Sequence, residues 1–476
     1  MIRSLTLVFL VLATGLFPAS AQTTQEETFN YNSASEQLIW RGVKTLMMCN
    51  GVFVSGRMPD QVLADEWAYT RDKPGSYGDD GFGIDMLAKM VTMGGRVGVP
   101  AMKAVYREGY GCIIMEPGQL DDAAADFPIL DLPPPPGDPT EIAWPDGDLI
   151  SEPDWTGIDR EALQAASEWA FERPADRQKT LSLIVVYRGN IVLERYADGV
   201  DMTTRTRTWS TAKSIFSALV GIMVDDGRLE LDASLDLDWL PTAQGDAPDP
   251  RDAITLRHVL NMSSGLYPVD NRVEYATGSG RAYWAGSSSA RGAVNRGLVR
   301  NPGTHWDYEN YDTLLGVLAM KQALGGGSAY AEFPRRALFD RIGMRNTLVG
   351  VDRFGDFIFS SQVYTNARDL ARFGLLHLNR GMWGDERILS EDWIEFVRTP
   401  APATKSRGSY YGGQWWLVPA GREDVPADAY TTNGNRGQFT IVVPSADLVI
   451  VRRGLDFGRQ GFSPWDLTRE VMKAFQ

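Results

Sequence analysis

Ser210 and Lys213 stand three residues apart in TWSTAKSIF, Thr208 to Phe216. At the start of a helix this spacing puts both side chains on one face. A serine hydroxyl becomes a useful nucleophile when a neighbour takes its proton. Lysine can take it only as a neutral amine, so the site must lower a pKa that is ordinarily about 10.4. A helix N-terminus would help further, because its free amides and dipole favour the negative charge that develops during attack. The same spacing also suits an ordinary solvated helix face, so the pair needs support from elsewhere in the chain.

Two distant segments supply that support. NPGTHWDYENYDTLLGVLAM sets Tyr308-Glu309-Asn310 ahead of an apolar helix. TTNGNRGQFTIVVPSADLVIV is a glycine-rich turn leading into a strand. With S-x-x-K, these elements resemble the serine β-lactamase-like hydrolases, a group that spans class C β-lactamases, related esterases, D-aminopeptidases and 6-aminohexanoate-dimer hydrolases. ITLRHVLNMSSGL, TNARDLARFGLLHLNRGMWG and YYGGQWW are similar to other segments of that group. The resemblance covers about Thr180 to the C-terminus.

The resemblance implies roles. Ser210 is the acylated nucleophile, and Lys213 shares its proton. Tyr308 helps activate the serine and protonates the leaving group; a neighbouring cationic lysine would lower the phenol's pKa. Asn310 orients Lys213 and the substrate. Gly434, with no side chain, lets the backbone approach a substrate. The amides of Ser210 and Asn435 form the oxyanion hole. A second Y-x-N, Tyr364 to Asn366, competes with Tyr308. Tyr308 is preferred because it follows Asn301-Pro302-Gly303 and precedes a helix. Where β-lactamases carry K-T-G, this chain has Thr432-Asn433-Gly434. The cation that would meet a β-lactam carboxylate is missing, which points toward the dimer-hydrolase and esterase branch. Two placements are open for Arg436: it replaces that charge, or it points into solvent.

The implied architecture is α+β, an antiparallel sheet flanked by helices with a helical insertion, of the β-lactamase/transpeptidase type. Local patterns agree. SLIVVYRGNIVLERY reads as a hairpin turning at Arg188-Gly189-Asn190, and GQFTIVVPSADLVIVRRG as a second strand pair turning at Pro-Ser. IDREALQAASEWAFER, STAKSIFSALVGIMVDDG and SPWDLTREVMKAF read as helices. Trp415 and Trp416 fall on a strand, where alternation sends one inward and one outward. Tyr267, Tyr275 and Trp284 are assigned to the core, ahead of a pocket wall.

Four segments divide the 476 residues. Residues 1–21 carry Arg3, an apolar run from Leu5 to Phe17 and the small-x-small site Ala19-Ser20-Ala21, the pattern of a secretory signal that leaves Gln22 as the mature start. A membrane anchor is the alternative, but the run is short for a span. Residues 22–127 form an N-terminal α/β unit holding Cys49 and Cys112, the two cysteines of the chain. Export to the periplasm or beyond favours a disulfide between them, against two buried thiols. Within this unit Asp60 to Thr70 and Gly83 to Thr92 are expected to be helical. Residues 128–155 are a proline-rich acidic stretch, read as an extended linker that can wrap along a surface. Residues 156–476 hold the hydrolase motifs.

The net charge of −14 argues against nucleic acid and anionic lipid as partners. His258, His305 and His377 lack metal-ligand spacing, so no metal is expected, and acyl transfer needs no cofactor. His258 and His377 are read as helix residues, and His305 lies near Tyr308 in sequence. The expected partner is a small ester, amide or peptide, with no span after signal cleavage. The competing functions are a non-catalytic binder of peptides or cell-wall fragments and a penicillin-binding or β-lactam-hydrolysing protein.

Overall fold

A computed structural model describes residues 26–70, 81–95, 100–174, 177–243, 247–269, 278–408, 410–457 and 461–475. The expected signal sequence, the start at Gln22 and Tyr275 lie outside the described residues.

The N-terminal unit packs one long helix on a small sheet. Helix α1 (Glu36–Phe53) starts where the Ser35 hydroxyl accepts from the Leu38 amide at 3.2 Å, a side-chain N-cap. Helix α2 (Pro59–Asp65) has proline in its first position, where the missing N–H costs nothing. It stops at Asp65, and a separate 3₁₀ turn covers Trp67–Thr70, so the helix expected over Asp60 to Thr70 forms only in its first half. The antiparallel sheet runs in the order β1 (Phe82–Asp85), β2 (Met90–Met93), β3 (Met102–Arg107), β4 (Gly111–Ile114). The helix expected over Gly83 to Thr92 is therefore wrong: this stretch is the β1–β2 hairpin. Asp85 Oδ1 accepts the amides of Leu87 and Ala88 at 2.9 Å each, and Lys89 takes a left-handed φ of 48°. That turn chemistry and the pairing of Val91 with Ala104 override the local helical pattern.

Val91, Ala104, Cys112 and Ile114 share the sheet face turned to α1 and are buried there. Cys112 on β4 is disulfide-bonded to Cys49 on α1, with Cα atoms 6.0 Å apart. The bond closes a loop of 63 residues. Replacing both cysteines by serine is expected to cost about 2–5 kcal/mol of stability. Thermal melting of oxidised wild type against the double variant measures it, and equal melting temperatures would refute it.

Residues 128–155 form no α-helix or β-strand. Proline carbonyls still accept hydrogen bonds, and arginines of the larger unit collect them. Arg335 donates to the carbonyls of Leu132 and Pro133 at 2.7 Å each, and Arg372 donates to Pro145 O at 2.7 Å and to Asp148 at 2.8 Å. The stretch lies along the surface instead of hanging free.

The remaining chain builds a six-stranded antiparallel sheet. Helix α3 (Arg160–Phe171) leads into β5 (Thr180–Tyr187) and β6 (Asn190–Tyr196). Arg188 and Gly189 both have positive φ at the hairpin turn, which matches the twist of the paired strands. After β7 (Thr206–Arg207) comes α4 (Thr211–Asp225). An insertion follows, with α5 (Leu256–Leu260), α6 (Gly280–Ala285), α7 (Ser289–Val294), α8 (Asn310–Leu324) and α9 (Gly327–Pro334). Strands β8 (Leu348–Val349) and β9 (Val363–Thr365) join β7 in a small sheet, and α10 (Ala367–Leu378) follows. Next come a short hairpin, β10 (Met382–Trp383) and β11 (Glu386–Arg387), and α11 (Glu391–Arg398). The chain then returns through β12 (Trp416–Leu417), β13 (Tyr430–Gly434), β14 (Gln438–Val443), β15 (Leu448–Gly454) and α12 (Pro464–Met472).

The order β12-β13-β14-β15-β5-β6 closes the sheet by pairing the last strand of the chain with the first of this unit. Every residue of β5, β14 and β15 is buried, because helices cover both faces. Helices α3 and α12 pack on one face, while α4 and α10 pack on the other. Helix α4 is buried along most of its length, as its nearly uninterrupted apolar sequence requires. The N-terminal unit joins the same apolar core: a Cβ on Gly42 of α1 would sit 1.6 Å from the Trp284 carbonyl oxygen of α6, so only glycine allows that contact.

Candidate active site

Ser210 occupies the N-cap position of α4 without a side-chain capping bond, preceded by Trp209 at a left-handed φ of 50°. A non-glycine residue in that conformation costs about 1–2 kcal/mol, a strain that recurs at working sites. Lys213, one turn on, is 1% exposed. Its Nζ lies 3.4 Å from Ser210 Oγ, 2.7 Å from Asn310 Oδ1 and 2.6 Å from the Ser360 carbonyl oxygen. The amine is thus aimed at the serine by two acceptors from separate parts of the chain.

Asn310 begins α8, and its Nδ2 donates to Ser279 Oγ at 3.1 Å. That bond leaves Oδ1 facing Lys213. Tyr308 is half-buried beside Ser210, with its ring centroid 4.9 Å from Lys213 Nζ. Burial raises the phenol's pKa well above its ordinary value, and the neighbouring Ser210 side chain offsets this only in part. The lowered phenol pKa expected from the sequence is therefore corrected: loss of water around the phenolate dominates. The Tyr308 phenol is therefore protonated at neutral pH.

A buried ion pair holds this corner. Arg296 Nη2 donates to Asp312 Oδ1 at 2.8 Å, and Ser264 of the SSGL segment donates to the same oxygen at 2.9 Å. Burial pushes the Asp312 carboxyl up, and Arg296 opposes that shift. Trp306, Tyr411 and Met262 pack together beside Tyr308, whose ring lies 5.6 Å from that of Trp416 and 6.2 Å from that of Tyr411. Trp415 points the other way into the core, stacked on Phe373; it lies just ahead of β12, so of the two tryptophans expected on a strand only Trp416 is on one.

The third motif touches the nucleophile's own loop. A Cβ on Gly434 would lie 2.1 Å from the Thr208 carbonyl oxygen. Its missing side chain admits that carbonyl, a different reason for glycine from the substrate approach expected. Thr432 stands where K-T-G has lysine; it is fully buried and its hydroxyl meets that of Thr211 at 3.0 Å. Asn435 is exposed at the turn. Both placements considered for Arg436 are corrected. It is 4% exposed, and its Nη1 lies 2.6 Å from Glu66 Oε2 in the N-terminal unit. A guanidinium so paired neither faces solvent nor replaces the lost lysine.

Tyr364 is buried in β9, and Asn366 spends its Oδ1 capping α10 by accepting the Asp369 amide at 2.8 Å. That Y-x-N is a structural element. His305 is exposed and His258 half-buried in α5. His377 is buried in α10, and burial lowers its pKa to about 4. Trp284 is core, whereas Tyr267 is 55% exposed. Sequence reading missed Ser279 and Ser360. One works through a short side chain and the other through a backbone carbonyl, and neither leaves a motif.

A sequence model of the Beta-lactamase family matches residues 168–452. The 6-aminohexanoate-dimer hydrolase of Paenarthrobacter ureafaciens is 26% identical over 299 residues, 59% of this chain and 74% of that protein. A family VIII carboxylesterase structure has a TM-score of 0.51 at 17% identity, covering 69% of this chain and 98% of that one. The structure of EstCE1, a hydrolase with promiscuous acyltransferase activity, has a TM-score of 0.52 at 16% identity, covering 65% and 97%. The structural likenesses carry the fold, and the matched span contains Ser210, Lys213, Tyr308 and Asn310. On that match, with the antiparallel sheet and its helical layers, this chain belongs to the Beta-lactamase family of serine hydrolases.

Proposed function

We propose that the protein is an exported hydrolase of ester or amide bonds that works through an acyl-enzyme on Ser210. One observation carries the reading: the Lys213 Nζ lies 3.4 Å from Ser210 Oγ and is aimed there by Asn310 and the Ser360 carbonyl, with the Tyr308 ring 4.9 Å away. Lys213, as the neutral amine, takes the hydroxyl proton as Oγ bonds to the substrate carbonyl carbon. The oxyanion is held by the amides of Ser210 and Asn435. Tyr308 gives its proton to the leaving alkoxide or amine and regains one from the Lys213 ammonium. Water then attacks the acyl carbon, its proton passing to Lys213, and Ser210 leaves with a proton. No metal or organic cofactor enters these steps.

The similar proteins include an amide-dimer hydrolase and a carboxylesterase, which favours small acyl substrates. The buried, neutral Thr432 at the K-T-G lysine position argues against a β-lactam carboxylate as the preferred ligand. Residues 1–21 act as the signal sequence, 22–127 form the added unit, 128–155 its strap and 156–476 the hydrolase unit. The Cys49–Cys112 bond suits an oxidising compartment, and no helix among the described residues is long and apolar enough to cross a membrane.

A fluorophosphonate probe tests the reading. Wild type is expected to gain one adduct, mapped to Ser210 by peptide mass, and Ser210→Ala none. An unlabelled wild type would favour the non-catalytic binder. Rapid nitrocefin turnover would favour the β-lactam-hydrolysing alternative.

A further inference from the structure

The turn from Gly434 to Gly437 joins β13 to β14 and carries Asn435 at its exposed corner. Arg436 follows with a left-handed φ of 64°, which side-chain-bearing residues disfavour, so its anchors hold the turn's shape. Those anchors lie outside the turn. Nε donates to Asp456 O at 3.1 Å, and Nη2 donates to Leu455 O at 3.2 Å and to Asp65 O at 2.8 Å. Nη1 meets the Glu66 carboxylate at 2.6 Å, and the Arg436 side chain is wholly buried. Asp65 ends α2, Glu66 follows it, and both are held in turn. Arg57 pairs with each, and Lys179, one residue ahead of β5, reaches Asp65 at 2.5 Å. A segment outside the family match thus supplies the countercharge to a buried guanidinium one residue from Asn435.

We propose that Glu66 is a positioning residue of the active site: its ion pair with Arg436 fixes the turn that presents the Asn435 amide beside Ser210. This rests on the acyl-enzyme reading. Removing Glu66 leaves the guanidinium buried without that partner, and the turn must move to resolvate it. An oxyanion donor works only at hydrogen-bond distance, so a small displacement of Asn435 is costly to rate. The N-terminal unit then belongs to the catalytic apparatus, unlike an appended binding module.

The rate of fluorophosphonate labelling reads the oxyanion hole without a known substrate, because the phosphoryl oxygen must occupy it. Glu66→Ala is expected to label about tenfold to a hundredfold more slowly than wild type. Its kcat on p-nitrophenyl butyrate should fall similarly while KM stays within about twofold, since the lost interaction forms only in the transition state. Labelling at the wild-type rate overturns the proposal. So does slowing no larger than the unfolded fraction measured by circular dichroism. If the alanine variant does not fold, Glu66→Asp decides: it keeps the charge but is one methylene short of Arg436. Slower labelling of that variant supports the proposal, and the wild-type rate overturns it. A wild type that fails to label at Ser210 brings down the acyl-enzyme reading and this proposal with it. A wild type that labels, matched by both variants, removes only the role of Glu66.

Discussion

Lys213→Met is expected to lower kcat/KM for a p-nitrophenyl ester by about 10²- to 10⁴-fold, the range for loss of a positioned general base. Methionine keeps the length of the buried stem and removes the amine, so the packing of α4 is largely retained. What goes is the Nζ that stands 3.4 Å from Ser210 Oγ and is aimed by Asn310 and the Ser360 carbonyl. Lys213→Arg separates base from charge. Arginine stays protonated throughout the working range, so it restores the positive charge without restoring proton uptake. It is therefore expected to be as inactive as the methionine variant. The measurement is steady-state kinetics with fluorophosphonate labelling, and melting temperature as the folding control. A folded arginine variant with wild-type activity would show that Lys213 acts as a charge and that the base is elsewhere.

Tyr308→Phe is expected to cost about 10²- to 10³-fold in kcat/KM. The ring stays among Trp306, Tyr411 and Trp416, so the fold is kept, and only the hydroxyl is lost. The size of the loss should follow the leaving group. An anilide, whose nitrogen must be protonated to depart, should lose more than a p-nitrophenyl ester, whose phenolate departs without a proton. The pH profile provides a second readout. Burial holds the Tyr308 phenol above its ordinary value near 10, so it remains protonated as pH rises from 7 to 10. Its ionisation therefore contributes no fall in rate over that interval. An alkaline fall in that window, present in wild type and absent in Tyr308→Phe at its residual rate, would overturn the raised pKa of the Tyr308 phenol.

Much of the scaffold was legible from neighbouring residues. The two hairpins at Arg188-Gly189 and Pro444-Ser445 follow from apolar runs broken by turn residues, and both form. The error over Gly83 to Thr92 has an equally local origin. An Asx turn at Asp85 and pairing with β3 decide that segment, and its own periodicity does not show the partner strand. The Y-x-N ambiguity was resolved in sequence by the Asn-Pro-Gly before Tyr308. The structure adds the physical ground, for Asn366 is occupied with a helix cap while Asn310 reaches Lys213.

The chain alone determined which chemistry was on offer. A hydroxyl and an amine three residues apart on a helix are neighbours by helical geometry, whatever surrounds them. Tertiary structure decided the rest. It raised the Tyr308 phenol's pKa through burial and turned Gly434 toward the Thr208 carbonyl. It sent Arg436 370 residues back in sequence to Glu66. Burial and charge pairing are set by segments far apart along the chain, so no local pattern encodes them.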